Sequence, residues 1–164
     1  MRNLCPRDSS PSRQVSGASD SMSSDWFGAC QSRKGGAPGA SCTTRALAMA
    51  VVCDVHPLGN LRVLQYLQNQ LGVADAQKTE WSRHWIATGF AALEAMLADS
   101  EATGRFCHGD SPTLADVCLV PQIYNAHRWQ VPMEDYPTLR CIDTACSALD
   151  AFRRAAPEAQ DGAA

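Results

Sequence analysis

The sequence contains no run approaching the roughly 18 to 20 apolar residues that a membrane-crossing helix needs, and no apolar stretch follows the early arginines as it would in an export signal. It therefore reads as a cytoplasmic protein with no membrane partner. Basic excess is missing too. With 14 Lys and Arg against 17 Asp and Glu the formal charge is −3, so no electrostatic argument favours nucleic acid as a partner. There is no CxxC pair among the eight cysteines, and Cys107-His108 has no second pair at ligand spacing, so no metal site is expected. Without an export signal the cysteines read as free thiols, mostly small core residues, rather than as a disulfide scaffold. What remains is a chain of 164 residues, 45% hydrophobic and 19% charged, enough for one core and not for two.

Composition changes abruptly near Thr44. Residues 1–44 hold ten Ser, five Gly and three Pro but only six large apolar residues, with no sustained period of 2 or 3.6. Such a segment cannot bury enough surface to offset its ordering entropy, and it is expected to be a disordered N-terminal segment. It carries five basic and three acidic residues, a net of +2, against nine and fourteen, a net of −5, in the rest.

From Arg45 to Gln160 the pattern is all-α, a single helical bundle with no convincing strand. Leu47, Val51, Val55, Leu58, Leu61, Leu64 and Leu67 recur at spacings of three or four, which predicts a helix over 45–68 with a kink around His56, Pro57 and Gly59. A second helix is predicted over 76–98, with Trp81, Trp85, Ile86, Phe90, Leu93, Met96 and Leu97 facing the core and Lys78, Arg83, Glu94 and Asp99 largely opposite. Gly104, Gly109, Asp110 and Pro112 supply a loop. Thr113 and Asp116 then stand at N-cap and N3 spacing, an Asp version of the capping box, which opens a helix over 113–125 that Pro121 should kink. A last helix is predicted over 137–148, after the turn at Tyr136 and Pro137.

Four segments are recognisable beyond their periodicity: His56-Pro57-Leu58-Gly59-Asn60-Leu61-Arg62, Gly89-Phe90-Ala91-Ala92-Leu93-Glu94, the run from Gly109-Asp110 through Thr113-Leu114-Ala115-Asp116 to Val120-Pro121-Gln122, and Tyr136-Pro137-Thr138-Leu139. In order and spacing they resemble the C-terminal helical domain of zeta-class glutathione transferases, the family of the maleylacetoacetate isomerases. The resemblance implies a glutathione transferase C-terminal-like bundle over 45–160 and glutathione as cofactor. It implies a small cis-enedione carboxylic acid as substrate and a homodimer in intact relatives. In that family the glutathione thiolate adds to a cis double bond, the bond rotates, and the thiolate leaves again. The family's thiol-activating Ser-Ser-Cys-type motif and cis-proline belong to a thioredoxin-like N-terminal domain that this chain lacks. Ser23-Ser24-Asp25-Trp26 and Ser41-Cys42-Thr43 match the motif in letters only.

By the same resemblance, His56, Asn60 and Arg62 match positions that contact glutathione, and Arg128 matches an arginine that receives a substrate carboxylate. A plainer reading stands beside this one. His56 and Asn60 could simply satisfy a broken helix, Arg62 could be solvated, and Arg128 could face the dipole of a helix C-terminus. Asp116 and the tryptophans at 81 and 85 are assigned to structure, and no residue of this chain is expected to be catalytic.

Three functional readings follow. The first is a maleylacetoacetate isomerase-like chain, most simply a fragment without the catalytic thioredoxin-like domain, with a maleylpyruvate isomerase of the same family as runner-up. The second is a non-catalytic helical binding module. The third takes residues 1–44 as a misread start, with the thioredoxin-like half encoded upstream in another frame.

Overall fold

The structure, a computed structural model, describes residues 40–161. The expectations for the first 39 residues, including Ser23-Ser24-Asp25-Trp26, lie outside it. The described residues are helical, with no strand among them. In chain order come α1 (Ala40–Met49), a π-helical turn (Ala50–Val55), a 3₁₀ turn (His56–Gly59), α2 (Leu61–Asn69), α3 (Asp75–Ala98), α4 (Leu114–Arg128), α5 (Pro137–Ser147), α6 (Asp150–Ala155) and a final 3₁₀ turn (Pro157–Ala159). The anticipated boundary at Thr44 falls inside α1, and Ser41-Cys42-Thr43 sit in its first turns.

The first predicted helix is broken more thoroughly than a single kink. Pro57 has no amide hydrogen and its ring crowds the carbonyl one turn back, so the strain spreads upstream. The chain widens into a π turn from Ala50, where the His56 N–H bonds to the Val51 carbonyl, and then tightens into the 3₁₀ turn. Asn60 restarts the helix as the N-cap of α2: its side-chain oxygen accepts the Arg62 N–H at 3.1 Å. Of the predicted stripe only Leu47, Val51 and Val55 are buried; Leu61 is 68% exposed. The whole stretch Ser41–Asn69, 29 residues, is long and apolar enough by length and composition to cross a membrane, contrary to the first impression of the sequence. Its inward side nevertheless belongs to the core, and its continuity is broken at the π and 3₁₀ turns.

α3 is the central strut. Ile86, Phe90, Leu93 and Leu97 are at most 3% exposed and meet Val55, Leu119, Ile123, Leu139 and Ile142 in one core. Gly89 allows the crossing with the π turn, because a Cβ there would overlap the Val55 side chain. Two expectations for α3 need correction. Trp81 and Trp85 are half-buried at the rim rather than in the core, stacked edge to face at 5.6 Å, and the Trp81 indole donates to the Leu58 carbonyl at 2.8 Å. An indole N–H needs an acceptor, and the broken segment offers one. Glu94 does not face solvent either: its carboxylate accepts the Thr138 N–H at 2.8 Å and the Leu139 N–H at 3.0 Å, capping α5 from a neighbouring helix.

The Thr113–Asp116 corner is as predicted and better satisfied. Asp116, with no exposure, accepts from the Cys107 N–H at 2.8 Å and from both the N–H and the hydroxyl of Thr113 at 2.7 Å. α4 runs on past Pro121, whose ring is on the exposed side. Cys53, Cys107, Cys118 and Cys146 are free thiols as expected; Cys141, half-buried on α5 rather than in the core, is disulfide-bonded and departs from that expectation.

Candidate functional site

The four residues singled out in the sequence fall into two groups. His56, Asn60 and Arg62 cluster on the broken segment and the first turn of α2; Arg128 ends α4. The π turn packs against α4 and the 3₁₀ turn against α3 and α2. The tie is a side-chain contact: His56 Nδ1 lies 3.4 Å from the side-chain oxygen of Gln122, in the middle of α4. Arg128 lies six residues farther along, about 9 Å at the helical rise of 1.5 Å per residue.

Local chemistry sorts the roles. Asn60 serves as the α2 cap, its side-chain oxygen accepting the Arg62 N–H. His56, Arg62 and Arg128 are exposed, and neither arginine forms an ion pair with a described residue, so both guanidinium groups are open to an outside anion. The π turn beside them fits the tendency of such turns to mark functional sites.

Arg128 is held by a braced helix end. Gln130 takes a left-handed conformation (φ 56°) with its N–H on the His127 carbonyl, and Val131 N–H returns to the Ala126 carbonyl at 2.9 Å, a Schellman closure made without glycine. Arg83 of α3 secures it, donating to the Trp129 carbonyl at 2.6 Å and to the Gln130 side-chain oxygen at 2.8 Å. The sequence placed Arg83 on an outer face but did not reveal this function.

On another flank of α4 a cavity of about 510 Å³ opens between Val120, Tyr124 and His127, with Asp143 of α5 and Phe152 of α6 as its far wall. None of His56, Asn60, Arg62 and Arg128 lines it. Burial pushes the Asp143 carboxyl up, and the nearby His127 charge opposes that. The Tyr124 hydroxyl donates to Glu158 at 2.7 Å, which raises its pKa and lowers that of the glutamate, while the charge of Arg128 pulls the tyrosine the other way. Periodicity could not have announced this cavity, because its walls come from three helices whose crossing is set elsewhere. Gln122 was likewise missed, although a glutamine at a core-facing position of an apolar helix was a signal.

Two of the thiols, Cys107 and Cys146, are buried and unsuited to nucleophilic work, whereas Cys53 is exposed. Burial, reinforced by Asp116, pushes the Cys107 thiol far up, and burial with the same aspartate pushes Cys146 up to about 12. Among the described residues no cluster of His, Cys, Asp and Glu could hold a metal ion.

Comparison with known proteins agrees with this picture. Residues 79–156 match the family described as glutathione S-transferase, C-terminal domain. The chain is 51% identical over 120 residues to a maleylpyruvate isomerase from Ralstonia, covering 73% of this chain and 57% of that one. It is 50% identical over 119 residues to a probable maleylacetoacetate isomerase of Vibrio cholerae, covering 73% and 54%. It thus spans a little over half the length of these curated relatives. Among solved structures, the holo form of a bacterial zeta-class maleyl pyruvate isomerase superposes with a TM-score of 0.75 at 44% identity, covering 85% of this chain and 68% of the other. A maleylacetoacetate isomerase of Anaeromyxobacter dehalogenans with glutathione in its active site gives 0.70 at 40% identity, covering 85% and 64%. Sequence, fold and the order of the helices agree, and this chain belongs to the glutathione transferase family, in its zeta class.

Proposed function

We propose that this chain is the helical half of a glutathione-dependent cis-trans isomerase of a small enedione carboxylic acid, maleylacetoacetate by preference, with maleylpyruvate as the alternative. The observation that carries the reading is the tie between the broken segment and α4 through His56 and Gln122, with exposed Arg62 opening α2 and exposed Arg128 ending α4. Bound glutathione would supply the thiolate nucleophile. The residues of this chain would do the holding. His56 and Arg62 meet the polar peptide and a carboxylate of glutathione, and Arg128 takes the substrate carboxylate in a bidentate grip. A fixed cation near the carbonyl end of the substrate also favours the negative charge that develops as the double bond is attacked.

No cationic or hydrogen-bonding group of the described residues is identified that would ionise a glutathione thiol, so its activation is assigned to a thioredoxin-like domain of the kind the family uses. A reducing, cytoplasmic setting suits a reaction that depends on thiol glutathione. The relatives named as isomerases of maleyl acids support the substrate class, and the solved relative with glutathione in its active site supports the cofactor. Exposed Met49, Val52, Leu61, Tyr66 and Leu71 along and just beyond α1 and α2 suit burial against a second protomer.

The test is a kinetic split in this chain joined to a zeta-class thioredoxin-like domain. Arg128→Ala should lower kcat/KM for the enedione acid about tenfold or more, the loss of one charge-assisted bidentate contact, and Arg62→Ala should instead raise the glutathione KM. Equal effects of both variants on both ligands would remove the assignment.

A further inference from the structure

Gln122 stands out as a buried polar residue that packing alone does not account for. It is 2% exposed, on the face of α4 that carries Leu119, Ile123 and Ala126 into the core. An amide there is costly to bury unless its groups are hydrogen-bonded, and a methionine of similar shape would fill the same space with no such requirement. The partner its side-chain oxygen has is the Nδ1 of His56 at 3.4 Å, 66 residues earlier in the chain. The contact crosses from α4 to the turn where the helix is broken, and it fixes one edge of an otherwise exposed imidazole.

We propose that Gln122 is a positioning residue: its side-chain oxygen accepts the Nδ1 hydrogen of His56 and so turns Nε2 outward as an acceptor for a donor group of the glutathione peptide. A neutral imidazole has one donor and one acceptor nitrogen, so an acceptor facing Nδ1 selects the Nδ1–H tautomer and leaves a lone pair on Nε2. The backbone cooperates. The π turn packs on α4, and the 3₁₀ turn that carries His56 and Pro57 places the ring against its middle, the same helix that ends in Arg128. Gln122 therefore sets the cofactor side of the site in register with the substrate side. The part concerning glutathione rests on the function proposed above; the tautomer does not.

Long-range ¹H–¹⁵N correlation spectra of the histidine-labelled 164-residue chain read the tautomer directly, with His56→Gln assigning the signals. The expected result is a predominant Nδ1–H form in the wild type and in Gln122→Glu, which keeps an acceptor, and loss of that predominance in Gln122→Met, which keeps the shape without the acceptor. A predominant Nε2–H form in the wild type, or an unchanged tautomer in Gln122→Met, overturns the proposal. Titration of the same samples with reduced glutathione should move the His56 Nε2 signal, with about tenfold weaker affinity in Gln122→Met. Retained tautomer control with no response to glutathione would uphold the pairing and count against the cofactor reading alone.

Discussion

The two ends of α4 carry polar groups under opposite regimes. At the N-terminal end Asp116 is fully buried and its carboxylate receives three hydrogen bonds from Cys107 and Thr113. At the C-terminal end Arg128 is exposed, with no ion pair to a described residue, on a helix end braced by others. A polar group whose hydrogen bonds are all answered inside the molecule is there for the fold. One whose support is supplied by neighbours while its own charge stays outward is free to meet something from outside, which is the role proposed for Arg128.

The comparison can be broken first at Asp116. Asp116→Ala leaves the buried amides of Cys107 and Thr113 without acceptors, and urea unfolding should show a loss of about 3 kcal/mol; an unchanged stability would dissolve the contrast. Glu94→Ala is the next largest. It strips the cap from two half-buried amides at the start of α5 and should lower stability by about 1 to 2 kcal/mol in the same assay. Arg128→Ala should change stability by less than about 0.5 kcal/mol, while removing most of the activity of the joined protein. A large stability loss there would make Arg128 structural after all.

Chemistry at the thiols sharpens the same contrast. Cys107 and Cys146 have thiols pushed up by burial and by Asp116, so both should resist iodoacetamide at neutral pH in the folded chain, whereas exposed Cys53 should react, as read by mass spectrometry. The smallest effect is at Asp143. Burial raises its pKa in the folded state, so folding favours the protonated form. The resulting penalty is absent below the unfolded carboxylate pKa and present above the folded one. Asp143→Asn should therefore raise stability slightly at pH 7, by well under about 1 kcal/mol, and give no gain near pH 3.

Much of this was legible in the sequence where the cause is local. The Thr113–Asp116 cap, the Pro57 break and the Phe90 stripe follow from spacing, and the zeta-class resemblance followed from four quoted segments. What escaped were relations between distant segments. Glu94 looked like an outer residue because helical periodicity cannot see that α5 begins against it. Trp81 looked like core because an indole is apolar in a pattern, although its N–H needs the carbonyl that the broken segment frees. The widening before Pro57 and the grip of Gln122 on His56 arise only once the first helical stretch meets α4. Arg62 and Arg128 were singled out by resemblance; without it Arg62 reads as a solvated charge and Arg128 as one facing a helix dipole.

The central claim is that this chain holds glutathione and substrate but does not activate the thiol. An unactivated thiol with pKa near 8.5 is mostly protonated at pH 7, and the buried thiols of Cys107 and Cys146 offer no substitute. The measurement is the initial rate of maleylacetoacetate isomerisation against glutathione concentration for the 164-residue chain and for the same chain joined to a zeta-class thioredoxin-like domain. The account predicts no rate above the solution reaction for the chain alone and saturable, Arg128-dependent turnover for the joined protein. Saturable catalysis by the chain alone, or an inactive joined protein, would contradict it.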